Sequence, residues 1–474
     1  MNTIEQIITK PCHVHFVGIG GISMSGLAEI LIDKGYTVSG SDAKESEATI
    51  HLASLGAKVF YGHDASNISD DTEYLVYTAA VKADNPELVA AKEKGICTMT
   101  RAQLLGQIMK KYDTAISVAG THGKTTTTSM LSEVMMAAEY DPTVLVGGML
   151  SSIKGNVRVG QSKYLITEAC EYTNSFHSFF STVEVILNVR EDHMDFFKDI
   201  DDIRNSFKEF TRQLDEKGVL IINGAIEDLS YFTEDLKCPY KTFGMEENKS
   251  DYFPANIVYD DHACASFDVM MRVVNCEGGV CRLAGNANVA HIALKVPGEH
   301  NVCNALAAFA TARAIGIPVE QIERGLANYT GTDRRFQYKG TFNGVSVVDD
   351  YAHHPDEIRA TLTAAKNYPH KKIWCVFQPH TYTRTKAFMK EFAQALSLAD
   401  EVVLAKIYAA REKDTLGISS QDLANEIEKL GKSVVYLPTF EEIEEFLKKN
   451  CESGDLLITM GAGDVVNIGE NLIK

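Results

Sequence analysis

The chain has 474 residues, which at roughly 150 residues per domain is room for about three domains. Apolar residues make up 45% and charged residues 23%, a globular balance that excludes a mainly disordered or fibrous chain. Lys plus Arg is 46 against 64 for Asp plus Glu, a formal charge of −18; this argues against general nucleic-acid or anionic-membrane binding but leaves room for a phosphorylated small ligand in a local pocket.

In chain order, HVHFVGIG predicts a strand, SGLAEILIDKG a helix ending at Gly35, TVSGSD a strand and ATIHLASLG a helix. KVFYG and YLVYTAA follow as strands, KADNPELVAAKEKG as a helix and RAQLLGQIMKKY as a connecting helix. This βαβ rhythm implies a parallel sheet covered on both faces. A second α/β unit starts with TAISVAG, runs through a Gly/Thr loop into the helix TTTTSMLSEVMMAAEY, and continues with strands KYLITEA, VEVILNV and GVLIING. Residues 251–296 read as a shorter, polar, β-like insertion. Helices PGEHNVCNALAAFATARAIG and PVEQIERGLANY close the unit. The last part alternates strands VSVVDDYA, KIWCVFQP, EVVLAKIYA, SVVYLP and DLLITMGAG with amphipathic helices. The expected divisions are residues 1–112, 113–329 and 330–474, all α/β.

The ten cysteines are scattered and contain no C-x-x-C pair, so reduced, mostly buried thiols of a cytoplasmic protein are expected. The start MNTIEQIITKPCHVHF lacks a basic segment followed by an apolar run. No apolar stretch reaches the ~20 residues that span a bilayer.

The first Gly-rich turn carries Gly18, Gly20, Gly21 and Ser23 between a strand and a helix, and the next strand ends in Ser41-Asp42. Backbone amides at such a helix start can cradle a pyrophosphate, and an acid after the second strand is where a ribose would be read. Ser23 stands where G-x-G-x-x-G has its third glycine. Tight strand–helix packing, a dinucleotide and a nucleotide sugar diphosphate all stay open.

The second loop, Gly120-Thr121-His122-Gly123-Lys124-Thr125-Thr126, is a shortened relative of the phosphate loop, with Val118 in place of its first glycine. Its glycines can wrap phosphates, Lys124 supplies charge to the β- and γ-oxygens, and Thr125 offers Mg²⁺ a hydroxyl. Two acid-bearing strand ends follow: Thr167-Glu168-Ala169-Cys170-Glu171-Tyr172, and Asn188 to Asp195 with Arg190, Glu191, Asp192 and His193. Singly each reads as a solvated loop; placed after a phosphate loop at the carboxyl edge of one sheet, they suit Mg²⁺ better than zinc.

Asn301 and Asn304 open a helix, where they read equally as a cap and inward-facing polar group or as reader of a nucleobase edge. Later, Arg334-Arg335 precedes Asp349-Asp350-Tyr351-Ala352-His353-His354-Pro355, and Gln378-Pro379-His380-Thr381-Tyr382-Thr383-Arg384 follows another strand. Arg384 can hold a carboxylate or phosphate bidentately, whereas an isolated Arg335 or Arg384 reads as a surface ion pair.

GIGGISMSGLAE, SGSD, RAQLLGQIM, GTHGKTTT, EACEY, NVREDHMD, PGEHNVCNA, GTDRRFQ, DDYAHHPDEI, FQPHTYTRT and GAGD stand in the order in which similar strings occur in the ATP-dependent Mur ligases of peptidoglycan synthesis. The whole chain resembles that family, and GIGGISMSGLAE with DDYAHHP favours its alanine-adding branch. The resemblance implies a Rossmann-like UDP-sugar domain, a central ATPase domain and a Rossmann-like C-terminal domain. It implies that L-alanine is joined to the carboxylate of UDP-N-acetylmuramate through an acyl phosphate, with ATP and Mg²⁺, by a monomer or homodimer; a ligase recycling whole murein peptides is the alternative.

The resemblance also implies roles. Lys124 takes the β/γ-phosphate; Thr125, Glu168 and His193 hold metal. Asn301 and Asn304 face adenine, with Arg335 and Asp350 also on the nucleotide. Tyr351, His353 and Arg384 surround the incoming amino acid, and His353 with Lys124, Glu168 and His193 forms the catalytic set. Gly18, Gly20, Gly21, Ser23, Ser41 and Asp42 face the UDP-sugar. Cys170, Tyr172 and Thr381 depart from the family pattern, Thr381 replacing an arginine. A nicotinamide oxidoreductase would explain only the first loop, and a non-catalytic nucleotide switch would need neither His353 nor Arg384.

Overall fold

The computed structural model describes residues 3–474 except 79–80, 195, 278–279 and 411. Ala79 and Ala80, at the end of a predicted strand, and Asp195 of the second acidic cluster thus lie outside the described residues. The chain divides into two compact units: one holds Met1–Val189, Arg204–Lys241 and Ala314–Gly316, the other Arg190–Ile203, Thr242–Arg313 and Ile317–Lys474.

In the first unit, β1 (His13–Val17), β2 (Thr37–Asp42), β3 (Lys58–Tyr61), β4 (Tyr74–Tyr77) and β5 (Cys97–Thr100) form a parallel sheet in the order β3-β2-β1-β4-β5. Helix α1 (Ile22–Asp33) follows β1 directly. Next, β6 (Thr114–Ala119), β7 (Thr143–Leu150), β8 (Gly155–Arg158), β9 (Tyr164–Ala169), β10 (Val183–Ile186) and β11 (Val219–Asn223) align as β11-β10-β6-β9-β7-β8, parallel except for β8. Ala115, Ile116, Val118 and Ala119 of β6 are all fully buried, as expected of a strand covered on both faces. The helix Lys124–Ala137 includes four successive threonines, which are poor helix formers. It is held by packing of Met130, Leu131, Val134 and Met135, all fully buried.

The second unit contains β12 (Tyr240–Phe243, shared with the first), β13 (Tyr252–Tyr259), β14 (Cys264–Glu277) and β15 (Val280–Pro297). The last three are antiparallel and occupy the stretch expected to be β-like, with β14 and β15 long strands of 14 and 18 residues. A further sheet runs β16-β17-β21-β18-β19-β20, with β16 (Gln337–Phe342), β17 (Val345–Asp350), β18 (Ile373–Phe377), β19 (Glu401–Leu404), β20 (Ser433–Tyr436) and β21 (Leu456–Met460), parallel except for β16. Strands β5, β7, β8, β12 and β16 were not foreseen. Among the described residues eight cysteines are free, and of these only Cys238 and Cys375 are buried, which corrects the expectation of mostly buried thiols.

Candidate active site

At the carboxyl end of β1, Gly18 turns at φ +82°. The Gly18 and Ile19 N–H groups donate to the Ser41 carbonyl at 2.8 and 2.9 Å. Asp42 accepts from the Gly20 N–H at 2.8 Å through Oδ2 and from the Ala43 N–H through Oδ1. Asp42 therefore closes the glycine turn. Gly21 begins α1 without a side-chain cap, and Ser23 is exposed in the first helical turn. The Ser41 hydroxyl points away from the turn, donating at 2.6 Å to Glu87, which is fully buried. Glu87 also accepts from Asn67 Nδ2 at 2.6 Å and lies 3.0 Å from His63 Nδ1 and 3.6 Å from His15 Nε2. Burial would raise its pKa, but the close approach of His15 and the hydrogen bonds of Ser41, Asn67 and His63 outweigh that and hold it at about 2.

The second loop is built where Ala119 pairs with Ala169 and with Ile186 across β9, β6 and β10. That register brings the ends of three strands to one edge. Gly120 has φ +139°, and a Cβ there would stand 2.9 Å from the Leu187 Cβ; Gly123, at φ +86°, starts the helix with no side-chain cap. Both positions demand glycine, and the uncapped helix start suits an anion. Asn188 clamps the loop: its Oδ1 accepts from the His122 N–H at 2.9 Å, its Nδ2 donates to the His122 carbonyl at 3.0 Å, and its own carbonyl accepts from the Thr121 N–H at 3.2 Å.

Lys124 Nζ donates to the Gly120 and Thr121 carbonyls and lies 3.1 Å from Glu171 Oε2. Burial would lower its pKa, yet Glu171, with Cys170 and Glu168 behind it, drives it above the usual lysine range, so it stays charged. Thr125 and Thr126 are buried in the first turn. Glu168 Oε1 accepts from the Gly147 N–H at 2.5 Å, and a Cβ on Gly147 would come within 2.9 Å of Glu168 Oε2. Glu168 and Thr125 both carry oxygen donors, the kind that suits a hard cation such as Mg²⁺. His193 belongs to the other unit, where it sits at φ +54°.

In that second unit, Asn301 and Asn304 are both buried. Asn301 Nδ2 donates to the Pro297 carbonyl at 2.8 Å and Asn304 Nδ2 to Asn301 Oδ1 at 3.0 Å. Asn301 is the third residue of the helix Glu299–Ala314, and its amide donates backward to Pro297, not in the manner of a cap. Asp350, Phe377 and Met460 are in register across β17, β21 and β18, which gathers the loops after these strands at one edge. Asp350 Oδ2 accepts from the Phe336 N–H and Oδ1 from the Ala352 N–H, each at 2.8 Å. Burial raises its pKa to about 6 against the pull of Arg335. Arg335 lies 3.9 Å from Glu357 and over the Tyr351 ring. The neighbouring Arg334 ties the turn to the last loop, bonding Asp349 at 2.9 Å and the carbonyls of Gly461 and Gly463.

His353 packs edge-on against Tyr351 and His380. Arg384 Nη2 donates to Asp192 Oδ1 at 2.9 Å, and its Nη1 donates to His380 Nδ1 at 3.2 Å. Thr381 adopts φ +65° and caps the helix that carries Arg384. Glu87, Asn188, Arg334 and the lysine-pairing role of Glu171 were missed. Asn188 and Glu171 lie inside quoted strings, and their position directly after buried strands was the available signal.

Three models of this family match in chain order: the Mur ligase family catalytic domain at residues 13–113, the middle domain at 118–312 and the glutamate ligase domain at 334–463. UDP-N-acetylmuramate–L-alanine ligase of Lachnospira eligens is 56% identical over 465 residues, 98% of each chain. The chain belongs to the Mur ligase family. The same-named protein of Agathobacter rectalis is also 56% identical, over 98% of each chain. Among solved structures, UDP-N-acetylmuramate-alanine ligase of Thermotoga maritima superposes with a TM-score of 0.79 at 29% identity, covering 98% of each chain. A murein peptide ligase of Psychrobacter arcticus shares the fold, with a TM-score of 0.70 at 24% identity over 97% of this chain and 98% of that one.

Proposed function

We propose that this chain is an ATP-dependent ligase that joins L-alanine to the carboxylate of UDP-N-acetylmuramate. The observation that carries the reading is the glycine loop with its charged, Glu171-paired Lys124, in a chain 56% identical along its length to proteins of that name. The murein-peptide alternative is supported only by likeness of fold. The sugar carboxylate attacks the γ-phosphate, giving an acyl phosphate and ADP; the alanine amine then attacks the carbonyl and phosphate leaves. The amide forms because phosphate departs where hydroxide would not, and the protein supplies position and neutralised charge.

In this reading residues 1–112 take the UDP-sugar at Gly18, Gly20, Gly21 and Ser23, with Ser41 and Asp42 shaping that turn. Residues 113–329 take ATP at Gly120 to Thr126, with Lys124 on the β- and γ-oxygens and Asn301 and Asn304 on the base. Residues 330–474 add Arg335 and Asp350 on the nucleotide side and Tyr351, His353 and Arg384 around the amino acid. Thr125 and Glu168 would hold Mg²⁺, and His193 a second ion. When bound, Mg²⁺ draws charge from the phosphate oxygens. Purified protein given ATP and Mg²⁺ should release phosphate only when both UDP-N-acetylmuramate and L-alanine are present. Equal release without the sugar, or with a murein tripeptide preferred over L-alanine, overturns the proposal.

A further inference from the structure

The pair Asp192–Arg384 joins residues far apart in sequence, and both side chains are about nine-tenths buried, at 9% and 11% exposure. A buried ion pair is poor value for stability, because desolvation of both charges offsets most of their attraction. It is well suited to a ligand carrying both signs of charge. We propose, building on the ligase reading, that Asp192 and Arg384 are the two poles that recognise the incoming amino acid as a zwitterion: Arg384 takes the α-carboxylate and Asp192 the α-ammonium.

The charge arrangement supports this pairing. Arg384 donates through Nη2 to Asp192 and through Nη1 to His380, so its fork is already aimed at an anion. Burial pulls His380 and His353 down to about 4, which leaves both rings uncharged at neutral pH. The other carboxylates nearby are committed: Glu357 accepts from the His353 N–H and faces Arg335, and Glu412 accepts from the Tyr382 and Thr383 N–H groups. His193 Nε2 lies 3.8 Å from Asp192 Oδ2, and His354 also acts on Asp192 electrostatically. An α-amino acid entering between Asp192 and Arg384 exchanges one ion pair for two without changing the net buried charge. A ligand with a carboxylate alone would leave Asp192 unpaired beside a second anion.

The test compares L-alanine with L-lactate, which keeps the carboxylate and replaces the ammonium by a hydroxyl. Wild-type enzyme should bind L-alanine at least about 30-fold more tightly than L-lactate, read as KM against the competitive inhibition constant. Asp192→Asn should raise the KM for L-alanine at least about tenfold and change the lactate constant and the KM for ATP by less than about threefold. Asp192→Glu should recover part of the loss. Parallel weakening of alanine and lactate would show that Asp192 only positions Arg384, and an unchanged alanine KM would show no role; either overturns the inference. If Asp192→Asn does not fold, equal binding of alanine and lactate to wild type overturns it alone. Failure of wild type to form any alanine adduct would instead sink the ligase reading.

Discussion

The two glycine-rich turns share a plan and differ in what lies beneath them. Each follows a central parallel strand and starts a helix with no side-chain cap, and each is backed by a buried carboxylate, Glu87 under the first and Glu171 under the second. Glu87 is surrounded by neutral donors and histidines, and reaches its turn only through Ser41. Glu171 faces a lysine directly. The first turn therefore offers backbone and a closing Asp42 and, among the described residues, no fixed cation, which suits a diphosphate that is bound and kept. The second presents a cation whose counter-ion can be exchanged, which suits a phosphoryl group that is transferred.

Removing that cation should have the largest effect. Lys124→Ala is expected to lower turnover about 10³-fold, the scale of losing a charge on the transferring phosphoryl group. The affinity for UDP-N-acetylmuramate, read by calorimetry, should stay within about threefold. If both affinities fall together, the two turns do not have separate tasks.

The carboxylate under the first turn should act on stability. Glu87 is held at about 2, below its ordinary 4.5, so its stabilising contribution is complete above pH 4.5 and is lost as the pH falls through 2. A depression of that size corresponds to about 3 kcal/mol. Glu87→Gln should lower the urea midpoint at pH 7, and the gap from wild type should shrink between pH 4.5 and 2. A gap constant across that range would show that Glu87 contributes shape alone.

Both turns were legible from their glycines, because only glycine accepts φ +82° at Gly18 or +139° at Gly120 without strain. Their supports were not. Glu87 stands in the first turn of a helix, where an acid reads as a solvated helix-start charge; what buries it is Ser41, His15 and Asn67 from three other segments. Asp42 followed the ribose-reading position in sequence, yet its carboxylate accepts from the Gly20 N–H. Strand β7 hid because its Gly147-Gly148 breaks the apolar run, and the reason for Gly147 is the approach of Glu168. Local pattern records the backbone demand, while partners brought by distant strands leave no periodic trace.

The smallest effect should separate the turns by geometry alone. Gly20 has no left-handed backbone requirement, so Gly20→Ala tests only space. An added Cβ would meet Thr49 Cγ2 at 2.8 Å, Asp42 Oδ2 at 2.9 Å and Ser46 Oγ at 3.2 Å. These are side-chain atoms, and the Asp42 carboxylate can swing aside at the expense of its 2.8 Å bond from the Gly20 N–H. The turn should loosen without unfolding, at about 2 kcal/mol of stability for one lost hydrogen bond to a charged group. UDP-N-acetylmuramate affinity should fall about tenfold, equivalent to about 1.4 kcal/mol, with the KM for ATP within about twofold. A variant that binds the UDP-sugar like wild type would show that Asp42 closes the turn without shaping its ligand site. A variant that loses ATP instead would reverse the division between the two turns.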